Sequence, residues 1–274
     1  MKDNLEACHG VRLKTKIMGI INITPDSFYV GSRAYGEMAM ERAFSMCDQG
    51  ADIVDIGGQS TRPGSEPISP QEELLRITPI IDKLATRIKC KLSIDTYNYK
   101  VAEYAADCGV QIINDINGMR SKAMRELVSD NKLECVIMHM QGSPKTMQVA
   151  PHYRNVVLDI KEFLAKRIKL CEEEGIKKSN IIIDPGIGFG KTLEHNLEII
   201  KNIGDFKTFE KRVLLGVSRK GFIGKIDRTI YGPEERLEGS LAVACYCTLK
   251  GVDILRVHDV KETIRAVKII DKLI

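Results

Sequence analysis

The chain carries almost no surplus charge: 41 Lys and Arg against 37 Asp and Glu leave +4 over 274 residues. A balance this even excludes the electrostatic footprint of a nucleic-acid or membrane-surface binder, and leaves room for a local cationic pocket. No apolar run reaches the ~18 residues that a membrane-spanning helix needs, so no segment is expected to enter a bilayer. The eight cysteines include no C-x-x-C pair, which removes the common zinc and thiol-redox patterns. The chain opens Met1-Lys2-Asp3-Asn4 with no apolar signal segment, and only Cys245 and Cys247 lie close in sequence. Eight separate cysteines are therefore expected, as ordinary core and surface residues in the reducing cytoplasm. Linkers rich in Pro, Gly and Ser, low-complexity tracts and charge blocks are also missing, so the chain reads as one domain. At 43% apolar and 28% charged residues its composition is that of a globular protein, which excludes disordered, collagen-like and coiled-coil classes.

What is present is a repeated βα pattern. Short β-branched runs recur, each followed by a turn and a segment of helical periodicity. Strands are predicted at Ile17–Ile23, Ile53–Ile56, Lys91–Ile94, Gln111–Asn114, Glu134–Met138, Ile181–Ile183, Val213–Gly216 and Ile254–Val257. Helices are predicted at Glu37–Gln49, Pro70–Ile88, Asn98–Asp107, Ser121–Asp130, Tyr153–Glu174, Leu193–Ile203, Glu234–Lys250 and Val260–Leu273. Ser69, Pro70 and Glu72 spell a capping box with proline at the first helical position, and Gly251 stands where a C-cap belongs. Pro79 is expected to kink its helix. The strands are nearly continuous apolar runs, as parallel strands covered on both faces are. Eight such units predict an α/β fold, a single-domain (β/α)8 TIM barrel over residues 17–274, with a doubly wound open sheet as the alternative. Residues 1–16 form an N-terminal extension, either an accessory hairpin or a loose segment.

A parallel barrel gathers the C-terminal ends of its strands on one face, where functional residues belong. In order these ends offer Asn22, Asp55, Asp95, Asn114 with Asp115, His139, Asp184, Ser218-Arg219-Lys220, and Arg256 with His258. Any one alone reads as a cap or turn residue; eight in succession define a polar cluster. Arg62, Lys220, Arg256 and His258 converge on the barrel mouth, a set of cations suited to phosphate or diphosphate. Asn22 supplies a neutral oxygen for a magnesium ion already held by phosphate, since Mg²⁺ keeps its waters and borrows few protein groups. Asp95, Asn114 and Asp184 suit a planar heterocycle carrying an amino group beside ring N–H. The competing reading is a structural network in which the carboxylates merely balance Lys220 and Arg256.

Two long loops adjoin this face. One runs from Asn22 to Gly36; the other, Gly57 to Pro70, holds three glycines, three prolines and Arg62, the composition of a hinged lid or binding loop. Gly186-Ile187-Gly188-Phe189-Gly190-Lys191-Thr192 looks like a P-loop, but Pro185 stands where that motif needs its first glycine, and Lys191 where a dinucleotide fingerprint needs its third. It reads instead as a barrel loop that places Phe189 near the site. Cys8-His9 is too isolated for a metal site, His152 and His195 read as surface residues, and His139 fits a satisfied core histidine equally well.

These strand ends resemble those of the dihydropteroate synthase family along nearly the whole chain. The resemblance rests on Asn22-Ile23-Thr24-Pro25-Asp26-Ser27-Phe28, Asp55-Ile56-Gly57-Gly58, Ser60-Thr61-Arg62-Pro63-Gly64, Ser93-Ile94-Asp95-Thr96, Ile113-Asn114-Asp115, Asp184-Pro185-Gly186-Ile187-Gly188-Phe189-Gly190-Lys191, Ser218-Arg219-Lys220 and Arg256-Val257-His258-Asp259. It implies a transferase that joins 4-aminobenzoate to 6-hydroxymethyl-7,8-dihydropterin diphosphate with Mg²⁺, a cytoplasmic homodimer in folate biosynthesis and a sulfonamide target. It implies further that Asp95, Asn114, Met138, Asp184, Gly216 and Lys220 hold the pterin. Asn22, Arg62, Arg256 and His258 would hold the diphosphate, Asn22 as the metal ligand. Thr61, Phe189 and Lys220 would border 4-aminobenzoate, and Lys220, Arg62 and Asp95 would stand closest to the chemistry.

The sequence departs from the family in three places. Val30-Gly31-Ser32 replaces Asp-Gly-Gly, Gln59 replaces Glu before the Ser-Thr-Arg-Pro-Gly run, and Gly221 replaces Ser after Ser-Arg-Lys. Two other classes follow from the same residues. A methyltransferase barrel using methyl-tetrahydrofolate has no diphosphate to bind, against which Arg62, Arg256 and His258 argue. A non-catalytic pterin-binding paralogue would account for the three departures.

Overall fold

The computed structural model describes residues 14–23, 32–230 and 232–273. Eight parallel strands close in sequence order into one barrel. They are β1 (Lys16–Asn22), β2 (Ile53–Gly57), β3 (Lys91–Asp95), β4 (Ile112–Asp115), β5 (Glu134–Met138), β6 (Ile181–Asp184), β7 (Arg212–Leu215) and β8 (Ile254–Val257). The β1–β8 pairing that closes the ring runs from Lys16 opposite Ile254 to Gly19 opposite Val257. The single-domain barrel is therefore the fold, and the open sheet is excluded. Most of the N-terminal extension lies outside the described residues, as do Cys8, His9 and Val30; Lys16 already belongs to β1.

Nine α-helices surround the barrel among the described residues: α1 (Ser32–Asp48), α2 (Pro70–Leu84), α3 (Tyr99–Asp107), α4 (Lys122–Asp130), α5 (Val156–Glu173), α6 (Leu193–Lys201), α7 (Gly221–Ile226), α8 (Leu237–Leu249) and α9 (Val260–Leu273). Helix α7 is the one the periodicity does not show: six residues with glycine at 221 and 224 carry no helical repeat to read. Helix α9 is the opposite case, burying Val260, Thr263, Ile264 and Val267 at the spacing of one helical face. At α2, Ser69 accepts the Glu72 amide at 3.1 Å, but the Glu72 carboxylate pairs with Arg76 at 2.5 Å. The expected capping box is thus only half made. The full one caps α6, where Thr192 accepts the His195 amide and the His195 ring accepts the Thr192 amide, each at 3.2 Å. Pro79 sits inside α2, which stays one helix from 70 to 84. None of the described helices is long and apolar enough to cross a membrane.

Strand alternation sorts the core into two. Residues such as Val54, Ile56, Leu92, Ile94 and Leu255 pack outward against the helices. Met18, Ile53, Ile112, Val136, Ile182, Leu214 and Ile254 fill the barrel interior, one from every strand except β3. Between outward-facing Leu92 and Ile94, β3 presents Ser93, a buried hydroxyl with no hydrogen-bond partner among the described residues. This apolar plug is the floor on which the polar strand ends stand.

Two of the cysteines are neighbours in space: Cys47, in the last turn of α1, and Cys90, before β3, lie side by side with Cα atoms 5.8 Å apart. Their separation of 43 residues hides this proximity from any reading by spacing. Cys108, Cys135, Cys171, Cys245 and Cys247 are free.

Truncating a plug residue should be costly, because the closed barrel cannot collapse around the gap. Ile182→Ala is expected to lose ~3 kcal/mol and lower the melting temperature by ~6–12 °C. Calorimetry showing a fall under ~2 °C would mean that the interior is not packed as described.

Candidate active site

Above the plug, the inward-facing residues are mostly polar or small, with Met138 of β5 an apolar exception in the pocket wall. The pocket at this level is lined by Thr61, Asp95, Asn114, Ile116, Met138, Asp184, Phe189, Gly216, Lys220 and Arg256, from six strand ends and two loops. Its centre is a hydrogen-bonded group. Arg256 donates from Nε to Asp55 Oδ2 at 2.6 Å and from Nη2 to Asp95 Oδ2 at 2.7 Å. Asn114 donates from Nδ2 to the same Asp55 oxygen at 3.0 Å. Asp55, Asp95 and Asn114 are buried, so these charges stand in a low-dielectric site where their partners are obligatory.

Burial dominates the proton affinities here. It raises Asp95 to about 7, against the pull of Arg256 and with repulsion from Asp55. It raises Asp184 as well, with Lys220 opposing. Burial lowers Lys220 to about 8. Burial works against the charge of Arg256 too, but Asp55 and Asp95 hold that guanidinium above its ordinary range.

The walls follow from the loops. Lys220 donates to the Ile187 carbonyl and lies 4.7 Å over the centre of the Phe189 ring, a cation–π contact that fixes both side chains. Met138 packs with Ile116, Met140 and Met147 against Tyr97 and Phe189, an adaptable apolar surface beside the charged end. Gly216 keeps the slot open, since a Cβ there would stand 4.0 Å from Lys220 Nζ and 3.9 Å from Arg256 Cβ.

The glycine-rich loop is docked onto the end of β5. Gly186 adopts φ +71°, and a Cβ on it would lie 2.0 Å from the His139 carbonyl oxygen. Asp184 Oδ1 accepts the Gly186 amide at 2.7 Å. Buried Lys191 bridges His139 Nδ1 at 3.1 Å and the Phe189 carbonyl at 2.9 Å, and burial holds its amine well below the usual range. His139 is a core histidine, edge-on to Phe163 with ring centres 5.0 Å apart and lowered by burial to about 2. The loop therefore presents Phe189, as its sequence suggested.

Four expected site residues lie at the rim. Thr61 lines the pocket, but its neighbour Arg62 is exposed and its side chain makes no hydrogen bond or ion pair among the described residues. Arg62 is the one expected cation that is not brought in. His258 is half-buried, shares a 3.1 Å hydrogen bond between Nδ1 and Ser218 Oγ, and is lowered by burial to about 4, with Arg256 adding to the effect. It is uncharged at neutral pH, so the positive mouth expected from four cations rests on Lys220 and Arg256. Asn22 ends β1, with Oδ1 3.6 Å from the point a Cβ on Gly57 would occupy and Asp95 Oδ2 3.7 Å from the same point. Arg219 turns away and forms two 2.7 Å bonds to Asp259.

Sequence reasoning counts Asp55 among the polar strand ends but assigns it no ligand; the structure sets it behind the pocket, bonded to Asn114 and Arg256. Glu73 carried no signal in the sequence. It reads as an ordinary first-turn acid of α2, yet it is fully buried and its Oε2 accepts from Asn98 Nδ2 at 2.5 Å. Gln59 is buried and donates to the Tyr97 hydroxyl at 2.8 Å, and Gly221 opens α7 with free space where a side chain would be.

The pterin binding enzyme family model matches residues 18–258, so the chain belongs to that family. The dihydropteroate synthase of Escherichia coli K12 is 41% identical over 256 residues, 93% of this chain and 90% of that one. The crystal structure of the Yersinia pestis dihydropteroate synthase with a sulfonamide drug complex superposes with a TM-score of 0.89 at 39% identity, covering 96% and 95% of the two chains. That of Xanthomonas albilineans with 4-aminobenzoic acid gives 0.88 at 36%, covering 95% and 93%. Within the pterin-binding enzymes the chain belongs with the dihydropteroate synthases.

Gly186→Ala tests the docking of the loop. The left-handed φ and the clash with a backbone carbonyl are expected to cost more than ~2 kcal/mol. That corresponds to ~4–8 °C in melting temperature, with Phe189 displaced from Lys220. A variant melting with the parent would show that this backbone contact is dispensable.

Proposed function

We propose that this protein joins 4-aminobenzoate to 6-hydroxymethyl-7,8-dihydropterin diphosphate, releasing diphosphate and forming the folate precursor 7,8-dihydropteroate. The observation that carries the reading is the meeting of buried Asp95, Asn114 and Asp184 with half-buried Lys220 and Arg256 in one pocket. Three acceptor-bearing side chains in a narrow slot match the amino group and ring N–H of a pterin, and Lys220 supplies a donor for its carbonyl. Met138 and Gly216 give the slot its flat shape. Thr61, Phe189 and the opposite side of Lys220 border the place where the aromatic amine would stack.

Arg256 faces the leaving group. A C–O bond to diphosphate breaks more easily when cations meet the charge that develops on the departing oxygen, and preorganised electrostatics is commonly the largest catalytic contribution. His258 adds an N–H donor rather than a charge, and Arg62 would join from the exposed loop as it folds over the substrate. The carboxylates about the pterin favour positive character at its exocyclic carbon, so the amine displaces diphosphate in an SN1-like step.

The donor set suits magnesium brought in on the diphosphate. Asn22 offers a neutral oxygen, and no group of three His, Cys, Asp or Glu residues that could hold a metal alone occurs among the described residues. When bound there, magnesium would offset charge on the leaving diphosphate. We further assign the protein to the cytoplasm as a homodimer and a target of sulfonamides. The groove between α7 and α8, with Ile223, Ile226, Ile230 and Val243 rimmed by Asp227, Glu235 and Glu238, supports a self-association face.

Purified protein with both substrates is expected to form dihydropteroate and diphosphate, detected by mass spectrometry, and to lose both when magnesium is chelated. Lys220→Ala should lower kcat/KM by at least a hundredfold, about what a charged hydrogen bond plus a stacking contact supplies. Pterin binding without product, at any magnesium concentration, would make the protein a non-catalytic relative.

The pH dependence follows with opposite signs on its two sides. Asp95, raised to about 7, loses its charge as pH falls through that value. Lys220, lowered to about 8, loses its charge as pH rises through that one. Pterin kcat/KM should therefore peak between them. In Lys220→Arg the alkaline limb should move beyond pH ~9, since a guanidinium stays charged. An alkaline limb that stays in place in that variant would remove Lys220 from the profile.

A further inference from the structure

Asp55 lies behind the pocket and does not line it. Alternation places it inside the barrel, because Val54 and Ile56 on either side face the helices. It is fully buried, and one of its oxygens, Oδ2, accepts from both Asn114 Nδ2 at 3.0 Å and Arg256 Nε at 2.6 Å. These two partners do line the pocket.

The consequence concerns the amide of Asn114. A primary amide presents two donors on nitrogen and an acceptor on oxygen, and the two ends are nearly the same shape. Against a carboxylate oxygen that acts as an acceptor only the nitrogen end is tolerated. Asp55 Oδ2 accepts from Arg256 Nε as well, so the Asn114 nitrogen is committed to that oxygen and the amide oxygen is left to the ligand. Asn114 Oδ1 has no hydrogen bond to any described residue and is not sealed from the pocket.

We propose that Asp55 is a specificity-determining positioning residue: it sets the Asn114 amide oxygen toward the pocket, so that the site accepts a heterocycle presenting an N–H there. Asp55 touches no substrate and acts through Asn114. The proposal rests on the reading of this pocket as a pterin site, and it deepens that reading by assigning the donor and acceptor pattern that the ring must carry.

The test is a double-mutant cycle on binding of 6-hydroxymethyl-7,8-dihydropterin, which carries no diphosphate and so leaves the leaving-group role of Arg256 out of the measurement. Asp55→Asn is expected to weaken binding roughly tenfold to a hundredfold, the range of a charge-oriented hydrogen bond. In the Asn114→Ala background the same substitution should change affinity by less than about twofold, since the residue it acts through is gone. Equal losses in the two backgrounds, or unchanged binding in Asp55→Asn, would overturn the proposal. Thermal melts establish that each variant folds, and Asp55→Ser replaces Asp55→Asn if the latter does not.

Neutron diffraction of the unliganded wild-type crystal gives an answer that needs neither variant nor ligand. Deuterium on the Asn114 atom facing Asp55 is expected; a protonated Asp55 donating to the Asn114 oxygen would contradict the assignment. If the wild type fails to bind the dihydropterin at all, the pterin reading falls, while the neutron result still decides the role of Asp55.

Discussion

Arg256 between Asp55 and Asp95 is the interaction on which the rest of the site depends. One partly buried cation bonds one oxygen of each of two buried carboxylates from neighbouring strands. Their second oxygens have no partner among the described residues, and each of the three groups would be costly alone. Removing Arg256 would leave two like charges facing each other across β2 and β3. Removing Asp55 would free the Asn114 amide. Removing Asp95 would take away an acceptor that the ligand needs. The network thus joins the part of the pocket that reads the heterocycle to the part that meets the leaving group.

The barrel makes that network possible. Seven apolar side chains fill the interior below it and exclude water, and the parallel strands bring their ends to one level. A closed sheet has no edge along which these ends could drift apart. The loops then add what the strands cannot. The glycine-rich loop, fixed against His139 by Gly186 and Lys191, delivers Phe189 to Lys220. Of its three left-handed glycines, 186 and 190 are spacers for backbone contact with His139 and Gln141 while 188 faces the Lys220 side chain, which is why the run resembles a phosphate loop without being one.

The parallel strands were legible because both faces are buried, so their signal is local and needs no partner. All eight strands appear within about two residues of where the apolar runs place them. The pocket was legible on similar grounds, since parallel strands in a closed barrel bring the polar residue that ends each apolar run to one shared face. What escaped depends on contacts distant in sequence. The Cys47–Cys90 pair, buried Glu73 and the turn of Arg219 toward Asp259 are settled by neighbours that no window contains. His258 was read as a cation from its type, whereas its burial beside Arg256 keeps it neutral. Arg62 was placed by motif, and its loop leaves the side chain in solvent.

The measurement that bears most directly on this account is a crystal structure of the protein with 6-hydroxymethyl-7,8-dihydropterin diphosphate. The ring edge is expected against Asp95, Asn114 Oδ1 and Asp184, with its carbonyl toward Lys220 and the diphosphate beside Arg256 and His258. A ring bound elsewhere, with those three side chains still facing solvent, would contradict it and return the buried network to a structural role.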